Sequence, residues 1–341
     1  MPVFRSVARA KAAGQFDLIA GFVYTQITYL FAQTGLIGFL AGTARTHAEV
    51  TAFLELSPEA SERILKAAGA LKLSESPQEG LWILGETGAA LSANEGAMAM
   101  IRHHALLYRD LADPLALMAQ PGGNGSELSA FWTYASRGAG IEEGAAPYSE
   151  LMRATQPMVW QQIIGQYPFD KHRRMLDIGG GSGAFAEAVG TATPDLELGI
   201  FDLPDVVPLA QERMAGTALA GRVSIHPGSF RTDPLPAGFD LITLIRIVHD
   251  HDDEPAQALL HACQQALPAG GRLLIVEPMA GTRGAEGMGE AYFGMYLWAM
   301  ASGRPRTMAE NMRMAEKAGF SAIKELKTPL PMIARALVAT K

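Results

Sequence analysis

From Arg174 onward, short apolar runs alternate with helical segments, and the first run ends in a cluster of glycines; no other feature constrains the fold as much. Met175-Leu176-Asp177-Ile178 predicts a strand, Gly179-Gly180-Gly181-Ser182-Gly183 a tight turn, and Ala184 to Ala192 a helix. Strands follow at Leu196–Phe201, Val223–His226, Leu241–Ile245 and Arg272–Glu277, with helices over 205–215 and 254–267 between them. A parallel strand can be reached only by a crossover, usually helical, so this alternation predicts a doubly wound, Rossmann-like parallel sheet of the α/β class. Residues 321–327 and 333–340 read as an antiparallel pair at the end of that sheet.

The first half reads differently. With 341 residues there is room for two domains, and residues 1–155 read as a helical unit ahead of an α/β domain at 156–341. Thr46 can cap a helix through Leu54. Ser57 can cap a second one, with Pro58 in its first position and Ile64, Leu65, Ala68 and Leu71 at helical spacing. Leu73 and Trp82-Ile83-Leu84 flank a polar turn at 76–80, a winged-helix pattern. Helices are expected over Ala97–Met118 and 148–165. A winged helix suggests DNA binding, but the charges disagree: residues 1–150 carry 10 Lys/Arg against 15 Asp/Glu.

Composition sharpens this. Hydrophobic residues make up 48% and charged ones only 18%, below the ~25% usual in globular chains, which excludes a disordered protein. Cys263 is the only cysteine, so no disulfide framework exists, as suits the cytoplasm. Leu18 to Ala44 is 27 residues without an acid, base or histidine, long enough for a bilayer span of ~20. Thr25, Gln26, Thr28, Gln33 and Thr34 argue against one, and two helices buried on most faces, meeting near Thr34-Gly35, fit better. Arg5, Arg9 and Lys11 precede the run and leave peripheral contact at the inner membrane open. No signal peptide is expected, because the apolar stretch is too long and too polar.

Gly179-x-Gly181-x-x-Ala184 formally satisfies a loose dinucleotide fingerprint. Asp177, however, places a carboxylate beside the loop, which would repel a pyrophosphate and suits a cationic sulfonium amino acid. Asp202, ending the second strand, can accept both hydroxyls of a ribose. Together these point to S-adenosyl-L-methionine, with Gly183 completing the turn. At the end of the fourth strand stands Arg246-Ile-Val-His-Asp-His-Asp-Asp-Glu254. Ligands of open α/β sheets bind at the carboxyl ends of strands, so His249 is the candidate base for an acceptor hydroxyl. Glu277, ending the next strand, is expected to hold the imidazole in its reactive tautomer. The acids and histidines of 249–254 are consecutive and would splay apart, so no metal is expected. Asp252, Asp253 and Glu254 also read as a solvated helix start, and a purely structural role for His249 remains the bland alternative.

The motifs LDIGGGSG at 176–183, FDLPDVV at 201–207, VHDHDDE at 248–254, ALPAGGRLLIVEP at 266–278 and SGRPRT at 302–307 resemble those of the winged-helix-fused O-methyltransferases of the caffeate and acetylserotonin type. The resemblance implies an N-terminal domain that forms a homodimer and caps the substrate. It also implies His249 as base supported by Glu277, and donor contacts from Asp177, Gly179, Gly181, Gly183, Asp202, Leu203, Ser229, Phe230 and Arg246. A pocket wall of Tyr148, Met152, Met295, Tyr296 and Met300 follows by the same matching. Two positions depart from the plant pattern. Pro305 stands where a second supporting glutamate falls, and Ser229 where an acid receives the adenine amino group, Asp233 being the nearest substitute. The segments 103–114, 146–158 and 277–307 further resemble the bacterial O-methyltransferases of carotenoid synthesis, which implies the tertiary hydroxyl of an acyclic carotenoid as acceptor. A small phenol or a tetrapyrrole is the rival acceptor, and a noncatalytic ligand-binding regulator the rival class.

Overall fold

The computed structural model describes the backbone of residues 2–132 and 145–341 and the side chains of 9–120, 122–132 and 151–341. The chain divides into two compact units, Met1–Ala105 and Leu106–Lys341.

In the first unit, helix α1 (Pro2–Gln33) is followed by a short helix α2 (Leu36–Leu40). Strand β1 (Arg45–Thr46), helices α3 (His47–Leu54) and α4 (Pro58–Ala70), and strands β2 (Ser74–Gln78) and β3 (Leu81–Leu84) come next. The strands form an antiparallel sheet in the order β1-β3-β2. Local chemistry sets these boundaries. The Thr46 hydroxyl accepts from the Glu49 N–H while Glu49 accepts from the Thr46 N–H, a reciprocal cap, and the Ser57 hydroxyl accepts from Ala60 N–H ahead of Pro58. Gly88 is crowded against the chain: a Cβ there would come 2.1 Å from the Leu73 carbonyl oxygen. Phe31, Leu36, Leu40, Val50, Leu65 and Leu73 form the core.

One expectation changes here. The chain does break at Thr34-Gly35, where Gly35 takes φ +75°, but it joins one long helix to a five-residue one. The uncharged run is buried only in part. Phe31, Ala32, Leu36, Ile37 and Leu40 are core, while Leu18, Ile19 and Phe22 are 87%, 78% and 70% exposed on α1. The helical segments expected over Ala97–Met118 are Glu95–Asp110 and Pro114–Ala119, divided where Asp113 caps the second and Pro114 opens it. Among the described residues no helix is long and apolar enough to cross a membrane.

The second unit holds a seven-stranded sheet in the order β6-β5-β4-β7-β8-β10-β9. Its strands are β4 (Arg174–Ile178), β5 (Glu197–Asp202), β6 (Val223–Pro227), β7 (Leu241–Ile245), β8 (Arg272–Glu277), β9 (Ser321–Leu326) and β10 (Arg335–Thr340). The first five are parallel, and β9 and β10 close the edge antiparallel. Alternate residues face opposite layers, so Leu176, Ile178, Ile242 and Leu244 enter one core and Met175, Leu241, Ile245 and Leu274 the other. Burying each of these side chains contributes ~1.5–3 kcal/mol. Sequence order reverses between β4 and β7, so the crevice at their carboxyl ends is the expected ligand position.

Candidate active site

All the strand-end residues singled out by the sequence meet at that edge. Between β4 and the helix Ala184–Ala192, Gly179, Gly181 and Gly183 adopt φ of +68°, +57° and +79°, a region that L side chains avoid. The turn is tied to β5: Gly179 N–H donates to the Phe201 carbonyl at 2.8 Å and Gly181 N–H to Asp202 Oδ2 at 2.7 Å. Asp202 Oδ1 accepts from Leu203 N–H at 2.7 Å. A Cβ at Gly179 or Gly183 would strike neighbouring side chains, whereas at Gly181 its nearest contact would be Gln156 Nε2 at 3.9 Å. The loop is therefore packed on its protein side and open at Gly181.

Two acids line this cradle under strain. Asp177 is buried, with Thr243 Oγ1 donating to its Oδ1 at 2.7 Å across the β4–β7 pair; desolvation pushes its carboxyl up to about 7. Desolvation likewise raises Asp202 to about 6 against the two backbone N–H bonds. Desolvated carboxylates gain most from a cation or from hydroxyl donors brought to them. The site thus fits an amino-acid ammonium and sulfonium near Asp177 and a ribose at Asp202. Beyond β6, Ser229 N–H donates to Asp233 Oδ2 at 2.8 Å, so that acid closes a local turn, and Phe230 packs edge-on to the His251 ring.

His249 sits at 2% exposure in a single 3-10 turn, Val248–Asp250, just after β7. Among the described residues neither ring nitrogen has a hydrogen-bond partner. Burial first, then the charges of Arg246 and Arg306, hold the imidazole neutral, well below its ordinary value. Asp250 Oδ1 lies 3.2 Å from Nε2, too far off line for a hydrogen bond, and burial raises its carboxyl to about 7. Glu277 is where the sequence expectation needs correcting. Its Oε2 accepts the backbone N–H of His249 at 3.0 Å, and its Oε1 has no partner among the described residues. Glu277 therefore holds the main chain of His249 rather than its imidazole, because the 3-10 turn points the His249 N–H, not the ring, down at the end of β8.

Arg246 takes φ +57°, and its Nη1 donates to Thr155 Oγ1 at 2.9 Å. Of the expected pocket wall, Met152 and Met295 are half-buried and Met300 is buried. Tyr296 is buried edge-on to Trp132, whose indole N–H donates to its hydroxyl at 3.2 Å. The Tyr148 side chain lies outside the described residues. Phe293, which the sequence did not single out, comes within 5.8 Å of the His249 ring. No group of acids, histidines and cysteine that could hold a metal occurs among the described residues.

The larger omission is the segment 302–306, which drew notice as a motif without any role. Ser302 Oγ donates to the Asp250 carbonyl at 2.7 Å, and Arg304 N–H to the His249 carbonyl at 3.1 Å. The Arg306 guanidinium, fully buried, donates to the carbonyls of Val248 and His251, both at 2.7 Å, and to Asp253 Oδ1.

Residues 118–321 match the O-methyltransferase domain model. The demethylspheroidene O-methyltransferase of Cereibacter sphaeroides is 39% identical over all of this chain and 90% of its own length. The enzyme of that name from Rhodobacter capsulatus is 36% identical over all of this chain and 85% of its own. The chain belongs to the O-methyltransferase family. It is an S-adenosylmethionine-dependent O-methyltransferase, and the acidic glycine-loop crevice is the part of the fold suited to that donor. Its fold is that of solved relatives at lower identity. Human N-acetylserotonin methyltransferase, solved with SAM, superposes with a TM-score of 0.77 at 22% identity, covering 97% of each chain. The mitomycin 7-O-methyltransferase MmcR gives 0.81 at 20%, covering 98% of this chain and all of its own.

Proposed function

We propose that this enzyme methylates the tertiary 1-hydroxyl of a long acyclic carotenoid, of the demethylspheroidene or hydroxyneurosporene type. One observation carries the choice of acceptor: the full-length identity of 39% and 36% to two demethylspheroidene O-methyltransferases, well above the 28% to an aminohydroxybenzoate O-methyltransferase of Streptomyces cremeus. A methyl group on a sulfonium is activated for in-line attack by oxygen when S-adenosylmethionine is bound. The chain's own residues do the rest. Asp177 and Asp202, with the backbone of Gly179, Gly181, Gly183 and Leu203, hold the donor, and Ser229 and Phe230 flank its adenine. His249 takes the hydroxyl proton on a ring nitrogen.

A tertiary alcohol is a far weaker acid than a phenol, and a desolvated, neutral imidazole is a weak base. The proton therefore leaves late, with methyl transfer, and alignment supplies most of the rate, on the order of 7–11 kcal/mol of barrier reduction. The exposed apolar side chains of α1 pair with a second copy of the chain in a homodimer. Arg9 and Lys11 on the same helix, and Arg5 before them, suit peripheral contact with an anionic inner-membrane surface, from which a lipid-dissolved acceptor would come. The test is incubation with labelled S-adenosylmethionine and a panel of hydroxylated acyclic carotenoid, catechol and bacteriochlorophyll precursor. Label in the carotenoid alone supports the reading; label in the catechol or the tetrapyrrole overturns the acceptor.

A further inference from the structure

We propose that Arg306 is the positioning residue of the base, and that the segment 302–306 is a clamp whose function is to aim the His249 imidazole at the acceptor oxygen. The inference rests on His249 acting as that base. Its geometry is unusually complete. Every main-chain carbonyl from Val248 to His251 is taken by a donor from this one segment: Val248 and His251 by the two Arg306 Nη atoms, His249 by Arg304 N–H, Asp250 by Ser302 Oγ. Gly303 N–H donates to Asp252 Oδ1 at 3.0 Å, and Asp253 Oδ1 accepts from both Arg304 and Arg306. On the opposite side Glu277 takes the His249 N–H.

A 3-10 turn of three residues satisfies little of its own backbone: His251 N–H donates to the Val248 carbonyl at 3.3 Å, and without the donors of 302–306 the carbonyls of His249, Asp250 and His251 would be left unpaired. Only arginine suits the task. A planar fork reaches two carbonyls and a carboxylate at once, while a lysine ammonium reaches fewer in fixed directions. A fully buried guanidinium is costly, and here it lies against this turn and bonds to Val248, His251 and Asp253. Close approach is built in as well: Gly303 takes φ +81°, and a Cβ there would come 2.1 Å from the His249 carbonyl oxygen. Pro305, between the two arginines, fixes the backbone φ there. The clamp thus holds the ring by its main chain, in place of a carboxylate on the imidazole.

Arg306→Lys and Gly303→Ala test this in the full-length enzyme. In the donor-free protein, hydrogen exchange at the amides of 249–251 should quicken at least ~10-fold in both, with strands β4, β5 and β7 unchanged. With the hydroxylated carotenoid as acceptor, kcat should fall ~100-fold, the cost of roughly an ångström of misplacement, while acceptor KM and S-adenosylhomocysteine Kd stay within about twofold. Guanidinium ion added to Arg306→Ala should restore part of kcat. Unchanged exchange at 249–251, or Arg306→Lys retaining kcat within twofold, overturns the clamp. So does a loss of kcat matched by an equal loss of S-adenosylhomocysteine binding, which would mark general unfolding. A wild-type enzyme that methylates no carotenoid would instead overturn the acceptor, and the exchange measurement would still decide the clamp.

Discussion

Glu277 offers the sharpest test of how His249, the proposed base, is held. Its Oε2 accepts the His249 N–H at 3.0 Å and no side chain of the turn. Glutamine keeps a carbonyl oxygen at that place, so Glu277→Gln preserves the bond in weaker, uncharged form, a loss of about 1 kcal/mol and less than ~10-fold in kcat. Glu277→Ala removes the acceptor, leaves a buried N–H unpaired at ~1–3 kcal/mol, frees the turn and should lower kcat by ~100-fold. Stability gives an independent reading. Burial raises the Glu277 carboxyl from its ordinary 4.5 to about 7, so the folded protein binds this proton more tightly than the unfolded chain. That contribution is complete below pH 4.5 and is lost as pH climbs to about 7. At pH 8 the native protein carries a desolvated charge costing on the order of 3 kcal/mol, and Glu277→Gln removes much of it. Thermal melts should therefore show the glutamine variant more stable than wild type at pH 8 and equal to it at pH 5. A glutamine variant as inactive as the alanine one would refute the reasoning and return Glu277 to the imidazole.

Other consequences are as direct. Asp177 and Asp202, raised to about 7 and about 6, must both be ionised to hold the donor in the way proposed, so S-adenosylhomocysteine affinity should weaken by up to ~10-fold per unit as pH falls from 7 toward 6 and more steeply below; calorimetry showing a flat Kd would remove both from the site. His249→Ala should cut kcat ~10²-fold or more with S-adenosylhomocysteine binding unchanged, and full turnover in that variant would end the base assignment. Ile19→Glu, at a side chain 78% exposed in the single chain, should leave the melting temperature of the monomer unchanged and lower the oligomeric state seen by light scattering.

How much of this was legible follows from what kind of interaction carries each part. The sheet was legible because strand and helix periods are written in the residues themselves: β7, β8 and the helix Ala184–Ala192 fall where the apolar runs and the glycine loop put them. The positions of Asp177, Asp202 and His249 were legible because open sheets present their strand ends to ligands. Glu277 was placed correctly and misassigned in its contact, since a strand-end carboxylate can reach a ring or a main chain and only the turn of 248–250 decides. Arg306 was not legible from the motif alone, because main-chain carbonyls carry no residue identity, and nothing in 248–251 announces that three of them lack partners within the turn. The exposed stripe of α1 failed for the opposite reason: an uncharged run says that water is avoided, and cannot say whether the chain itself or a second molecule does the covering. A Gly-Arg-Pro-Arg run whose second arginine is buried against main-chain carbonyls and Asp253 is what the structure adds to the motif. It marks a segment whose purpose is to satisfy someone else's backbone.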